Sequence, residues 1–340
     1  MSSSSAKAFI LDLSNKLLLA RALAVAAEFG IADLVAGESK TVDELAAQTN
    51  SDRDSLYRVL RSLAGHGFFA EDDAGRISLT PSAEVLKAGH PDSMRDLLRL
   101  DWQNIYWDTY RALPDAVRSG DVAFERAFGQ GFFDYLKDNP EINVVFDGRM
   151  ARVSLAENEK IVEAYPFGEV STVVDVGGGR GGLLAAILAR FPAISATLYE
   201  QSQVLADPAD LRCAGFLDQV ELTAGDFFAS VPAGADLYTL KRIIHDWDNP
   251  RAVEILNACR DAMNENSRLA VIDAVMKPGN EADPNKDMDL NIMALTPGRE
   301  RTEAEFQKLF DQSGLQLVRI IPTEAPSALS IVEARRSVRG

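Results

Sequence analysis

The sequence predicts an α/β protein in which a doubly wound, mostly parallel sheet follows a smaller helical domain. From Ser171 onward, short apolar segments typical of buried strands alternate with helical segments, and such alternation is typical of a parallel sheet. Before that point, apolar residues recur mainly at helical spacing. The length of 340 residues also suits two domains, or one domain with a large attachment.

The amino-terminal part has the order helix, helix, hairpin. Apolar side chains within 17–29 recur at helical spacing. Thr41 is followed three residues later by Glu44, which predicts a capping box, and Ser51 likewise precedes a second helix. Two short strands separated by a turn are predicted within 68–80. This order is typical of a winged helix.

A winged helix can bind DNA, but the charges argue against that function here. The second helix carries Arg53, Arg58 and Arg61, yet acidic residues lie beside it and in the hairpin. The net charge of −16 repels phosphate backbones at long range. The helix of residues 17–29 also has an apolar face too wide for one neighbour. We therefore expect residues 1–100 to form a dimerisation domain or a pocket cover, without a nucleic-acid partner.

Residues 101–165 are helical in pattern and rich in aromatic side chains. Core packing is the ordinary explanation for most of these aromatic residues. Their density at a domain junction also suits the wall of a pocket for a flat, apolar ligand. We predict that this segment is a helical linker lining a substrate pocket.

The segment 166–340 contains the strand pattern of the sheet. The last two predicted strands are separated by a short stretch that contains Pro322 and Pro326, and this spacing suits a hairpin. The predicted strands are Val173–Val176, Ala196–Tyr199, Val220–Thr223, Leu237–Leu240, Leu269–Ile272, 317–321 and 329–333. The sheet is therefore expected to end in an antiparallel hairpin strand.

The composition excludes several other classes of protein. Charged residues make up 25% and the AVILMFWYC set 46%, which is ordinary for a globular protein. Cys213 and Cys259 form no CxxC pair and the three histidines are far apart, so neither a disulfide scaffold nor a metal site is expected. No segment offers about 20 uninterrupted apolar residues, and residues 1–16 lack a secretory cleavage pattern. We expect a cytoplasmic protein with no membrane partner.

A glycine-rich loop follows the first predicted strand of the sheet. The segment Asp175–Gly182 reads DVGGGRGG and also fits the dinucleotide pattern GxGxxG, which leaves a nicotinamide dehydrogenase open. The acidic residues indicate a different ligand. Asp175 would repel a pyrophosphate but can accept from an ammonium or lie beside a sulfonium. Glu200 ends the next strand, where it can hold a ribose diol, and Asp226 and Phe227 follow the third, placed for an adenine.

Together these motifs resemble those of the small-molecule O-methyltransferases typified by plant caffeate and isoflavone enzymes and by bacterial polyketide and mitomycin methyltransferases. The motifs are DVGGGRG from Asp175, LYE ending at Glu200, GDFF from Gly225, LKRIIHDW ending at Trp247 and PGRERT from Pro297. The resemblance covers nearly the whole chain and implies a Rossmann-like fold, S-adenosylmethionine as cofactor and a homodimer. The cofactor-binding residues it implies are Gly177, Gly179, Glu200, Asp226, Phe227 and Lys241, and we expect Asp175 and Gly225 to join them.

A histidine just beyond the fourth strand is the candidate general base. His245 lies where ligands bind in an open α/β sheet, at the carboxyl ends of the strands. An ordinary histidine lies about 3.5 pKa units below a phenol, so prior proton transfer would cost about 5 kcal/mol. We therefore expect His245 to take the proton as the methyl group moves. The resemblance implies that Asp273 and Glu300 hold the imidazole, although the plant enzymes carry Glu at the position of Asp273, and Asp246 is a competing contact.

The resemblance also implies the walls of the acceptor pocket. Met near a ligand is adaptable and polarizable, although core packing explains each of these residues equally well. The wall residues are Phe146, Met150 and Met293, with Asn291 as a polar contact and Trp102 as a further candidate.

The leading hypothesis is an O-methyltransferase that acts on a phenolic or enolic hydroxyl of a small aromatic substrate from secondary metabolism. One alternative keeps the fold but hydroxylates or decarboxylates a polyketide, as some relatives of the anthracycline branch do. Several of those relatives lack a histidine at this position, so His245 favours methyl transfer. A winged-helix protein that senses a metabolite is the alternative from another class.

Overall fold

The computed structural model describes residues 3–102 and 105–337, without the side chains of residues 3–4, 101–102 and 151–152. Trp102, one of the predicted wall residues, has its backbone within a described helix, but its side chain lies outside the described residues.

The chain forms two compact units. One consists of Met1–Arg111 and Phe133–Met150, and the other of Ala112–Phe132 and Ala151–Gly340. The division into segments 1–100, 101–165 and 166–340 stays a prediction.

The first unit begins with the predicted helices and hairpin. Its three short strands pair antiparallel in the order β1-β3-β2, and its core contains Leu45, Leu60, Leu63, Phe69 and Ile77. The elements are α1 (Ser3–Glu28), α2 (Ile31–Leu34), β1 (Lys40–Thr41), α3 (Val42–Thr49), α4 (Arg53–Gly65), β2 (Phe69–Glu71), β3 (Arg76–Leu79) and α5 (Arg95–Trp102).

The two helix starts predicted from capping patterns have different outcomes. The capping box is confirmed, because the Thr41 N–H donates to Glu44 Oε2 at 2.7 Å and the Glu44 N–H donates to Thr41 Oγ1 at 3.3 Å. The prediction of Ser51 as the cap of α4 is wrong by one residue. Asp52 is the cap, since its Oδ1 accepts from the Ser55 N–H at 2.9 Å, while the Ser51 hydroxyl is bonded to another hydroxyl.

Helix α1 exposes apolar side chains along its amino-terminal part. It is longer than the sequence pattern predicts, because it starts well before residue 17. Six large apolar side chains are 48–76% exposed: Phe9, Ile10, Leu11, Leu13, Leu17 and Leu18. So large an apolar surface on one helix is typical of a protein–protein interface.

Four helices follow in the aromatic segment, and the boundaries between the two units fall within the first, the third and the last of them. They are α6 (Ile105–Ser119), α7 (Ala123–Phe128), α8 (Phe132–Asp138) and α9 (Pro140–Ala164). No described helix combines the length and the apolar character needed to cross a bilayer.

The second unit contains a doubly wound sheet with helices between its strands. Its elements are β4 (Thr172–Val176), α10 (Gly182–Arg190), β5 (Ser195–Glu200), α11 (Ala209–Ala214), β6 (Val220–Ala224), β7 (Leu237–Lys241), α12 (Asn249–Ala262), β8 (Arg268–Asp273), β9 (Val275–Met276), α13 (Asn285–Leu295), β10 (Arg301–Thr302), α14 (Glu303–Gln312), β11 (Leu315–Pro322) and β12 (Ser330–Arg336).

The strand order confirms the predicted fold class. Seven strands lie in the order β11-β12-β8-β7-β4-β5-β6. Strands β4 to β8 are parallel to one another, whereas β12 runs antiparallel to both β8 and β11, as the predicted hairpin requires. After β4 the chain adds β5 and β6 on one side and then crosses back to place β7 on the other side of β4. The crevice at the carboxyl ends of β4, β5 and β7 is therefore the expected ligand site.

Candidate active site

The glycine loop between β4 and α10 surrounds a buried carboxylate. Gly177 has a φ of +69°, and a Cβ there would lie 2.6 Å from Ile243 Cδ1, so a larger residue does not fit. Oδ1 of Asp175 accepts from Thr239 Oγ1 at 2.6 Å, while its Oδ2 has no hydrogen-bond partner in the described part of the chain. Burial raises the pKa of Asp175 to about 6, although the Thr239 hydrogen bond and the charge of Lys241 lower it. An unpartnered buried oxygen of this kind suits a ligand that donates a hydrogen bond or carries positive charge.

A cavity of about 620 Å³ lies at the carboxyl ends of β5 and β6. Four of the predicted cofactor-binding residues line it: Glu200, Gly225, Asp226 and Phe227. The carboxylate of Glu200 accepts from the backbone N–H of Gly179 at 3.0 Å and of Gln201 at 2.7 Å. The loop and the end of β5 therefore fix this carboxylate at the rim of the cavity.

The other three predicted residues, Gly225, Asp226 and Phe227, lie in a short turn beyond β6. Oδ1 of Asp226 accepts from the backbone N–H two residues further on, at 2.9 Å. The ring of Phe227 lies edge-to-face with Trp247, with centroids 6.3 Å apart. Gly225 packs against Tyr199, whose hydroxyl oxygen would lie 2.0 Å from a Cβ. Packing alone therefore explains Gly225, whereas the aromatic walls suit a planar ligand.

Lys241 and Arg242 share one buried carboxylate, Glu157 on α9. Nζ of Lys241 lies 3.2 Å from Glu157 Oε2 and donates to Ser154 Oγ at 2.6 Å. Arg242 donates through Nε to Oε2 at 3.1 Å and through Nη2 to Oε1. Burial works to raise the pKa of Glu157, but the two cations outweigh it and lower that pKa. Sequence reasoning missed Glu157 and Arg242, because the helix pattern around Glu157 does not show which side chain it will meet.

The backbone of Arg242 is in the left-handed region, with a φ of 54°. Bulky residues adopt this conformation only where the surrounding structure compensates for the strain, and such residues cluster at functional sites. Here the Arg242 N–H donates to the carbonyl of Ile272 at 3.0 Å, which joins the end of β7 to β8. A positive φ cannot be read from the sequence of a residue that is not glycine.

His245 lies in a short 3-10 turn, Ile244–Asp246, just beyond β7. Its buried ring has Nδ1 2.9 Å from Glu300 Oε1. A carboxylate only accepts, so Nδ1 carries a proton and donates it to Glu300, which leaves Nε2 as the nitrogen that can take a proton. Nε2 lies 3.6 Å from Asp246 Oδ1.

Three carboxylates set the acidity of this imidazole. Burial works to lower the pKa of His245, but the charges of Asp246, Asp273 and Glu300 outweigh it and raise that pKa to about 9. Asp273, the last residue of β8, is fully buried, and neither of its oxygens has a hydrogen-bond partner among the described residues. Burial raises the pKa of Asp273 above its ordinary value. The structure thus brings Glu300 into contact with His245, while Asp273 acts on the ring only through its charge.

Four of the five predicted wall residues lie on two helices, α9 and α13, and Trp102 is the last residue of α5. Phe146 and Met150, both half-buried, are one turn apart on α9 and so share a face. Asn291 and Met293 are only two positions apart on α13, so they point in different directions.

Comparisons with known proteins identify the family. Residues 11–89 match an O-methyltransferase dimerisation domain and residues 110–316 an O-methyltransferase domain. The chain is 40% identical to a phenazine O-methyltransferase of Lysobacter antibioticus over 331 residues, 96% of this chain and 95% of that protein.

Solved structures give the same result. The mitomycin 7-O-methyltransferase superimposes with a TM-score of 0.92 at 34% identity, covering 98% of both chains. An O-methyltransferase from neocarzinostatin biosynthesis, crystallised with S-adenosylmethionine and 2-hydroxy-5-methyl naphthoic acid, superimposes with a TM-score of 0.80 at 31% identity, covering 93% of this chain and 95% of that chain.

The site itself fits this cofactor. The free oxygen of Asp175 suits a cationic group, and the cavity beside Glu200 offers acceptors for a ribose next to aromatic walls for a purine. These features agree with a methyl donor and not with the pyrophosphate of a dinucleotide. The chain belongs to the S-adenosylmethionine-dependent O-methyltransferases of natural-product biosynthesis.

Proposed function

We propose that this enzyme methylates a phenolic or enolic hydroxyl of a small aromatic natural-product intermediate, with His245 as the general base. The observation that carries the proposal is the contact of 2.9 Å between His245 Nδ1 and Glu300 Oε1. It holds the ring by one nitrogen and leaves Nε2 available for a proton. The turn that carries His245 follows β7, at the carboxyl ends of the strands, where ligands bind in such sheets.

The raised pKa of His245 suits an acceptor of phenolic acidity. With a pKa of about 9, the base lies about one unit below a phenol, so transfer within the complex is uphill by only about 1 kcal/mol. An ordinary histidine would face about 5 kcal/mol. The cost is that most of the imidazole is protonated at neutral pH. Only the neutral imidazole can take the proton of the acceptor as the methyl transfers, so the rate should rise with pH up to about 9.

Alanine substitution tests the base. His245→Ala should lower kcat by about 10²–10⁴-fold with little change in cofactor affinity. His66→Ala is the matched control, because His66 is an exposed residue at the end of α4. A kcat of His245→Ala within about threefold of wild type would exclude His245 as the base.

We propose that the cofactor is held by Asp175, Glu200, Asp226 and the other residues implied by the resemblance. When bound, S-adenosylmethionine supplies a methyl group on a positively charged sulfur. Glu200→Gln should weaken cofactor binding in calorimetry by about tenfold, the loss of a charge-assisted hydrogen bond. Glu221→Gln, on the exposed amino-terminal end of β6, should leave binding unchanged. Equal affinities in the two variants would remove Glu200 from the cofactor site.

The acceptor pocket is proposed to include Phe146, Met150, Asn291, Met293 and Trp102. Shortening Met150 to Ala should raise KM for the acceptor while the KM for the cofactor stays constant. An unchanged acceptor KM in variants of all five positions would place the pocket elsewhere.

We infer that the enzyme is a homodimer assembled through its amino-terminal domain. The match to a dimerisation domain and the exposed apolar side chains of α1 support this. Leu17→Glu should shift sedimentation from dimer toward monomer, because it places a charge in the apolar surface. A wild-type protein that sediments as a monomer at micromolar concentration would refute the dimer.

A further inference from the structure

The turn that carries His245 is held by a buried arginine. Arg301, the first residue of β10, is 1% exposed. Its Nη1 donates to the carbonyl oxygen of Ile244 at 2.9 Å and its Nη2 donates to that of Trp247 at 2.9 Å. One of these residues precedes His245 and the other follows it, so a single guanidinium binds the backbone on both sides of the base.

The same guanidinium also reaches the start of α12. Nη2 and Nε donate to Asn249 Oδ1 at 3.0 and 3.3 Å, and Nη1 donates to the carbonyl of Arg299 at 3.3 Å. Every one of these acceptors is neutral. A buried guanidinium is expensive to desolvate, and here its donors are used to fix backbone and amide oxygens around one turn.

The segment that precedes Arg301 also contacts the backbone of His245. The Arg299 N–H donates to the His245 carbonyl at 2.8 Å. A Cβ at Gly298 would lie only 1.9 Å from that oxygen, so the close approach requires glycine. Since Glu300 lies between Arg299 and Arg301, one short segment binds both the backbone and the imidazole of His245.

We propose that Arg301 is the positioning residue of the general base: it clamps the turn on both sides of His245 so that the ring keeps its contact with Glu300 and Nε2 keeps its direction. This inference rests on the proposed role of His245. Misplacing a reacting group by 1 Å can cost about 100-fold in rate. None of the hydrogen bonds of Arg301 is made to a residue proposed to hold the cofactor.

Two variants of Arg301 separate positioning from stability. Arg301→Met keeps the apolar stem and removes all donors, and Arg301→Lys keeps the charge but cannot bridge two carbonyls with a planar fork. Arg260→Met is the matched control, because Arg260 also binds a carbonyl, that of Ser313 at 2.8 Å, at the opposite end of α12. Asn249→Ala, at an exposed position, loosens Arg301 without removing it.

The readouts are kcat, cofactor affinity by calorimetry, thermal unfolding and the NMR titration of the imidazoles, of which the chain has only three. Both Arg301 variants should lose about 100-fold in kcat, keep cofactor affinity within about twofold, and show a His245 pKa lowered from about 9 because the Glu300 contact loosens. Arg260→Met should lower the melting temperature alone. Asn249→Ala should give an intermediate loss of kcat.

Wild-type kcat and His245 titration in folded Arg301→Lys would overturn the proposal. If Arg301→Met does not fold, Arg301→Lys and Asn249→Ala decide by the same two readouts. The His245→Ala variant distinguishes failure of the proposed function, because full activity in that variant would show that His245 is not the general base. The NMR titration would still report whether Arg301 sets the environment of the ring.

Discussion

Removing the carboxylate next to the free nitrogen of the base should speed the enzyme at neutral pH and slow it at high pH. Asp246 Oδ1 lies 3.6 Å from His245 Nε2, where it stabilises the protonated ring. Asp246→Asn keeps the shape of the side chain and removes its charge. The pKa of His245 should therefore fall from its value of about 9.

The size of the shift follows from the distance and the exposure. Two unit charges about 4 Å apart interact by about 4 kcal/mol near a protein surface, an upper bound here. The Asp246 side chain is 21% exposed, so solvent screens part of this interaction. Opposite charges at such distances shift a pKa by about 1–3 units, and we take the lower end, a fall to about 8.

A fall of one unit has opposite effects at the two ends of the pH range. At pH 7 the neutral fraction of the imidazole rises from about 1% to about 10%. A weaker base loses about threefold in rate per pKa unit when the proton is half transferred. The variant should therefore be about threefold faster at pH 7 and about threefold slower at pH 10.

Initial rates of methyl transfer from pH 6 to pH 10 test this expectation, with acceptor and cofactor concentrations held constant. Asp248→Asn is the control, since Asp248 caps α12 at an exposed position and Asn caps equally well. The two rate curves of wild type and Asp246→Asn must cross. Parallel curves, or a rising limb at the same pH in both proteins, would show that Asp246 does not tune His245.

Two further predictions concern stability. Glu157→Gln should lower the free energy of unfolding by about 3–5 kcal/mol, because it leaves Lys241 and Arg242 buried without their shared carboxylate; a loss below about 1 kcal/mol in urea unfolding would contradict this. His245 binds its proton more tightly in the folded than in the unfolded chain. Its contribution to the free energy of unfolding is therefore complete below pH 6.5 and is lost as the pH rises through about 9. Over this pH range the free energy of unfolding should fall by at most about 3 kcal/mol, and by less in His245→Asn. An equal fall in both proteins would refute this prediction.

Local patterns were sufficient for the strands of the main sheet but not for their order. The seven main strands and the hairpin of β11 and β12 follow from apolar runs and short connections, which are local properties of the chain. The first turns of α1 were not predicted. Their exposed apolar residues are mixed with polar ones and do not form the periodic apolar face of a helix that packs on the protein's own core. The order of the strands depends on crossovers between distant segments.

In the candidate site, contacts between distant segments were even harder to predict from local patterns. His245 and Glu300 are 55 residues apart, and their pairing came from the family resemblance and not from spacing. Glu157 carries no local signal, and Arg301 lies in the PGRERT motif without a role that the motif indicates, since a charged residue in a helix or beside an acidic residue is usually solvated. The missing hydrogen bonds of Asp273 depend on the length of one side chain and on packing around it.

The position of β12 has a consequence for how the protein is made. This strand lies between β8 and β11 in space although it follows both in the chain, and its Ser330 pairs with Asp273. Until residues 330–336 have emerged from the ribosome, the edge of β8 stays open to any other strand. Prematurely terminated chains should therefore aggregate or be degraded instead of retaining partial activity, and tags or fusions placed beside this strand should affect yield more than those at the other end of the polypeptide.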